Sequence, residues 1–115
     1  MLYHRDICIP AYIKEQLPTE PIKLVYSRHA EDARHNDRYG EVTKLSWLNP
    51  AEAEVIEVEV IGGKIIKVVY RLKMDDTLDQ CVVVNVPEGL VRTVWANRRN
   101  DNHKTLNKSK YERAQ

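Results

Sequence analysis

Residues 55–73 read VIEVEVI-GG-KIIKVVYRLK, from Val55 to Lys73, and this stretch settles the fold class. Two β-branched runs flank Gly62-Gly63, and glycine supplies the positive φ that a primed two-residue hairpin turn demands. In the first run Ile56, Val58 and Val60 fall on one face, opposite Glu57 and Glu59. In the second, alternation groups Ile66, Val68, Tyr70 and Leu72 against Lys67, Val69, Arg71 and Lys73. A hairpin with one apolar and one charged face follows, with strands expected at Val55–Ile61 and Lys64–Lys73.

The chain continues in the same style. Asp75-Asp76-Thr77 reads as a turn, and Gln80–Asn85 is apolar on both faces, as a central strand is. Pro87-Glu88-Gly89 makes another turn before a last strand, Leu90–Asn97. Together these predict a four-stranded antiparallel meander. Upstream, Ser27 is placed as an N-cap with Glu31 in reach of it, and Gly40 is placed to stop a helix at about Tyr39. Pro10, Pro18 and Pro21 exclude a long helix from residues 1–21. Leu2, Tyr3, Ile7, Ile9 and Tyr12 are too apolar for a free tail, so this segment is expected to wrap over the domain. The expected architecture is α+β: an N-terminal arm and one or two short helices packed on the meander.

At 115 residues the chain is one domain by length, with residues 98–115 as a basic polar tail. No apolar run approaches the roughly 18 residues of a membrane span. Asp6 and Pro10 interrupt any signal-peptide core, so a cytoplasmic protein is expected. The net charge is +1, but residues 92–113 hold seven Lys/Arg against Asp101 and Glu112. A basic end can hold phosphates or serve as a solvated tail. Cys8 and Cys81 stand alone in apolar surroundings and read as buried thiols. No cofactor pattern is present. His29 and His35, six apart, project about 240° from each other around a helix and cannot share a metal ion.

Metal-free RNA cleavage suits the residue types that remain. It needs a base, an acid, and donors around a developing phosphorane. His29 and His103 are candidates for the acid–base pair, since imidazole titrates near neutral pH. Lys67 and Arg71 share a strand face and can clamp phosphate, or pair with Glu57 and Glu59 across the hairpin. Thr93 and Asn97 offer neutral hydrogen bonds, and Trp95 on their face can stack a base or anchor the core.

Ser27-Arg28-His29-Ala30, followed by Arg34 and Arg38, precedes a final strand reading Val91-Arg92-Thr93-Val94. This resembles the barnase–EndoU–colicin–RelE ribonuclease-like superfamily, in particular small toxin-like domains with a His-Ala helix and a Val-x-Thr-Val strand. The resemblance implies metal-independent RNA cleavage, an antitoxin or immunity partner, and roles for His29, Thr93, Arg34 and Arg71. Thr93-Val94-Trp95-x-Asn97 with Asp101-x-His103-x-Thr105-Leu106 resembles the C-termini of small tailed-phage proteins, which implies a phage or mobile-element setting, and the host cytoplasm if the protein is phage-encoded. The rival expectation is a binding module that docks on a host protein or nucleic acid through Arg98, Arg99 and Lys104. A homodimer paired through an exposed Val55–Ile61 edge is a third.

Overall fold

A computed structural model describes residues 1–101 and 108–113. In chain order the elements are β1 (Leu2–His4), α1 (Ala11–Lys14), β2 (Ile22–Lys23), β3 (Val25–Tyr26), α2 (Arg28–His35), β4 (Trp47–Leu48), β5 (Glu54–Ile61), β6 (Lys64–Lys73), β7 (Leu78–Asn85) and β8 (Leu90–Arg98). Single 3₁₀ turns occur at Pro50–Glu52 and Lys108–Lys110. The class is α+β with few helices and a strand-rich sheet.

The meander β5-β6-β7-β8 forms as expected, but it is the centre of a six-stranded sheet ordered β1-β5-β6-β7-β8-β3. The two outer strands come from segments too short to announce themselves by periodicity. β1 pairs antiparallel with β5 through Leu2↔Glu59, Tyr3↔Val58 and His4↔Glu57. β3 pairs parallel with β8 at Leu90 and Val91. The Val55–Ile61 edge is therefore covered, and those residues offer no open ladder to a second copy. The hairpin turn carries Gly62 and Gly63 at φ +59° and +78°, the left-handed pair that a primed turn uses.

Three bulges decide which residues face which side. Register shifts occur at Val55/Glu57 and Glu59/Val60 between β5 and β6, and at Val83/Val84 between β7 and β8. Each inserts one residue and so reverses the alternation beyond it. Ile56 thereby leaves Val58 and Val60 and packs on the opposite face with Val69, Cys81 and Val83. Ile66 likewise joins Lys67 instead of Val68.

The first face of the sheet carries the main core: Val58, Val60, Val68, Tyr70, Val82, Val84, Val91, Val94 and Ala96. The arm closes over it with Tyr3, Ile9 and Ile13, while Tyr12 points out at 56% exposure. α2 adds Ala30, and the segment after it adds Val42 and Leu48. Ser27 is the N-cap, its Oγ accepting from Ala30 N at 3.0 Å. Glu31 does not serve the cap; it pairs with Lys44 at 2.8 Å and Arg34 at 3.6 Å. α2 stops at His35, before Gly40, because the Asp37 carboxylate captures Tyr39 N and Ala96 N, both at 3.1 Å. Among the described residues no helix is long and apolar enough to cross a membrane.

Candidate functional site

The second face of the sheet collects the polar residues. β6 contributes Lys67 and Arg71, and β8 contributes Thr93, Trp95 and Asn97, around an apolar strip of Ile56, Val69, Cys81 and Val83. Five of the residues singled out in the sequence thus share one face, because strand parity holds along β6 from Lys67 and along β8 from Thr93. Within it, a groove of about 630 Å³ runs over Val69 and Val83, walled by Lys67, Asn85, Arg92, Thr93, Trp95 and Lys110, with Glu57 and Glu59 on the β5 side. The bulge at Val83/Val84 is what turns Arg92 towards this side, beside Thr93.

Trp95 is half-buried in the groove. Its indole N–H donates to Asn97 Oδ1 at 3.1 Å in the amide orientation that also lets Asn97 donate to Ala96 O at 3.2 Å. Asn97 itself is 6% exposed, so it serves Trp95 and not a ligand. With its only donor satisfied, Trp95 presents an aromatic surface to the groove. Lys67 Nζ pairs with Glu59 at 2.9 Å, and Glu57 accepts from the Tyr111 hydroxyl at 2.8 Å. Arg92 forms no ion pair with a described residue; nor does Lys110, whose Nζ lies 5.0 Å from the Tyr111 ring centroid. The groove therefore combines an aromatic surface and neutral hydrogen-bonding groups with three cations, Lys67, Arg92 and Lys110, and two carboxylates, Glu57 and Glu59, of which Glu59 is paired with Lys67.

Arg71 does something else. It is 5% exposed and pairs with Asp79 at 2.9 Å, not with Glu57. Its guanidinium also donates to Arg98 O at 3.0 Å and to Arg99 O and Asp101 O at 3.5 Å. Arg99 binds the other Asp79 oxygen at 3.0 Å and donates to the carbonyls of Asp75, Asp76 and Leu78. A buried guanidinium with these partners fixes the end of β8 to β6 and β7; it is not free to clamp phosphate. Arg34 is similarly engaged, with Glu41 at 2.7 Å and Val42 O at 3.1 Å.

His29 is exposed on α2, the helix that covers the first face through Ala30, whereas Lys67, Thr93 and Trp95 line the second. It makes no hydrogen bond or ion pair with a described residue. His103 and Lys104 lie outside the described residues. The acid–base pair expected from sequence is thus not assembled among the described side chains. Cys81 is fully buried, and burial pushes its thiol up to about 11, too high for a nucleophile at neutral pH. Among the described residues no three His, Cys, Asp or Glu side chains gather as a metal site.

The tail is not a solvated appendage where it is described. Arg98 belongs to β8, and Tyr111 is 6% exposed, its ring 4.9 Å from that of His4. Glu112 N donates to Leu2 O at 2.8 Å. Burial, and the Glu57 carboxylate that it donates to, push the Tyr111 phenol upward, so it stays a neutral donor. Sequence reading missed Arg92, Asn85 and Lys110; a parity count that allowed for a bulge before Thr93 would have found Arg92. No protein-family model, curated protein or solved structure matches the chain.

Proposed function

We propose that this protein is a non-enzymatic module that binds single-stranded RNA in the groove on the second face of its sheet. The observation that carries the reading is Trp95, half-buried with its N–H already satisfied, between Thr93, Asn85 and the cations Arg92 and Lys110. A base stacks on an aromatic surface whatever its identity, while cations beside it take the phosphate. Hydroxyl and amide groups of Thr93 and Asn85 can meet base edges or the 2′-hydroxyl. A docking mode through the tail is less well supported, because Arg99 is held by Asp79 and three carbonyls. A cleavage mode would need an acid and a base at one point; the described groove lining holds no histidine, and its two carboxylates are engaged, Glu59 by Lys67 and Glu57 by the Tyr111 hydroxyl.

The test is fluorescence anisotropy of a labelled hexaribonucleotide against the protein at low salt, with EDTA, followed by electrophoresis of the same samples. Trp95→Ala should weaken binding by about 5- to 150-fold, the span of one lost stacking contact. Arg92→Gln, at an exposed position, should weaken it without touching the core. Trp47→Ala, at 57% exposure on β4 outside the groove, should bind like the parent. Wild-type affinity in both groove variants, no binding by the parent, or shortened RNA in the gel would each overturn the proposal.

A further inference from the structure

A second pair of arginines meets over one ring on the other side of β8. Arg38 Cζ lies 4.7 Å from the Tyr39 ring centroid, and Arg98 Cζ lies 5.9 Å from it. The tether that brings them together is Asp37, whose two carboxylate oxygens hold Tyr39 N and Ala96 N. Asp37 is the acid nearest to Arg38 in sequence, and it is committed to those backbone donors. Arg34, Arg71 and Arg99 all have carboxylate partners, whereas neither Arg38 nor Arg98 pairs with a described carboxylate. Both are exposed. Beside them opens a cleft of about 620 Å³ lined by Tyr39, Leu78, Arg98, Arg99 and Asn100, with Asp76 the one acid among its described residues.

Two guanidiniums held within about 6 Å of one ring centroid raise the positive potential around it, and an anion bound beside them relieves it. Their planar forks match tetrahedral phosphate oxygens, and no described group satisfies those donors internally. We infer that Arg38, Tyr39 and Arg98 form a phosphate-binding subsite that takes a backbone phosphate of the strand held in the groove. The source of that phosphate rests on the RNA-binding reading; the anion site itself does not. β3 pairs with β8 at Leu90 and Val91, and further along the same edge Asp37 accepts from Ala96 N. A nucleic-acid strand leaving Trp95 would reach Arg98, the last residue of β8, past the C-terminal end of that strand.

Two arms test this on the full chain. In the first, inorganic phosphate is titrated while the arginine Nε–H resonances are followed by NMR. Saturable shifts at Arg38 and Arg98 that are lost in the Arg38→Gln/Arg98→Gln double variant are expected, whatever Arg92 does; no saturable shift at either would overturn the site. In the second, oligoribonucleotides of two to eight residues are bound at a series of salt concentrations. The longer ones should lose about 0.7 from the slope of log affinity against log salt for each phosphate contact removed by the double variant. Dinucleotides should show no change. An unchanged slope beside a positive phosphate titration would overturn the assignment to the strand and leave free phosphate as the ligand. Failure of the parent to bind any oligoribonucleotide would overturn the groove reading and, with it, the strand as the source, while the phosphate titration decides the anion site by itself.

Discussion

Tyr111 shows whether the C-terminal segment belongs to the fold. Its ring is 6% exposed against His4, and its hydroxyl donates to Glu57 Oε2 at 2.8 Å. Removing the ring deletes a buried aromatic and leaves a gap above β1 and β5, a change that costs about 3–4 kcal/mol at such sites. Removing the hydroxyl alone leaves Glu57 to water, since that carboxylate is only half-buried. The loss is then about 1 kcal/mol, the ordinary net worth of a hydrogen bond, because water takes over the exposed side of the carboxylate. For a domain of this size each kcal/mol corresponds to about 4 °C in Tm. Tyr111→Phe should therefore melt about 4 °C below the parent, and Tyr111→Ala about 12–16 °C below it. Urea denaturation gives the same ordering as free energies. A double-mutant cycle with Glu57→Gln should return a coupling near the cost of the Phe variant. Tyr111→Ala within 1 kcal/mol of the parent would refute the reasoning, because that is how a free tail behaves.

Two further outcomes follow from the turns. Gly89 has φ +77°, and a Cβ there would stand 2.2 Å from the Lys23 carbonyl oxygen, next to the Val25 N–H bond to Gly89 O of 3.0 Å; Gly63 has φ +78° and open space. Gly89→Ala should cost more than about 2 kcal/mol and Gly63→Ala about 1 kcal/mol, in thermal or urea unfolding; equal costs would show that the close approach is not rigid. Asp75 Oδ1 accepts from Thr77 N at 2.9 Å and Leu78 N at 2.8 Å, and these N–H groups hold its carboxyl below the ordinary range. A carboxyl lowered on folding stabilises fully above its unfolded value of about 3.9, and that contribution is lost as pH falls through the folded value. Asp75→Asn should thus flatten the fall in urea midpoint between pH 5 and pH 2, and an unchanged slope would count against the turn's role.

Much of the candidate site was legible because strand parity is local. The positions of Lys67, Val69 and Arg71, and of Thr93, Trp95 and Asn97, follow from counting by two, and the six do share a face. Ser27 as N-cap was legible for the same reason, since the cap bond spans three residues. Counting fails at a bulge: Ile56 and Ile66 change sides because a second strand opposes two residues with one, which no single segment records. Ion pairing was legible for Lys67, which meets Glu59 across the hairpin, but not for Arg71. Arg71 faces Cys81 across the ladder and takes Asp79 further along β7, although Glu57 and Glu59 were the acids suggested by the hairpin alone.

Sequence by itself therefore determined the hairpin, the meander and the composition of its polar face, because those depend on periodicity within a few residues. Tertiary structure decided what that face can do. It occupied Arg71 and Arg99 with the end of β8, buried Tyr111 against His4, covered the β5 edge with Leu2–His4, and left His29 on the far side of the sheet. It also placed Arg38 and Arg98 on one tyrosine ring. Each of these joins residues remote in the chain, and such contacts are selected by the packing of the whole domain, not by any stretch of it.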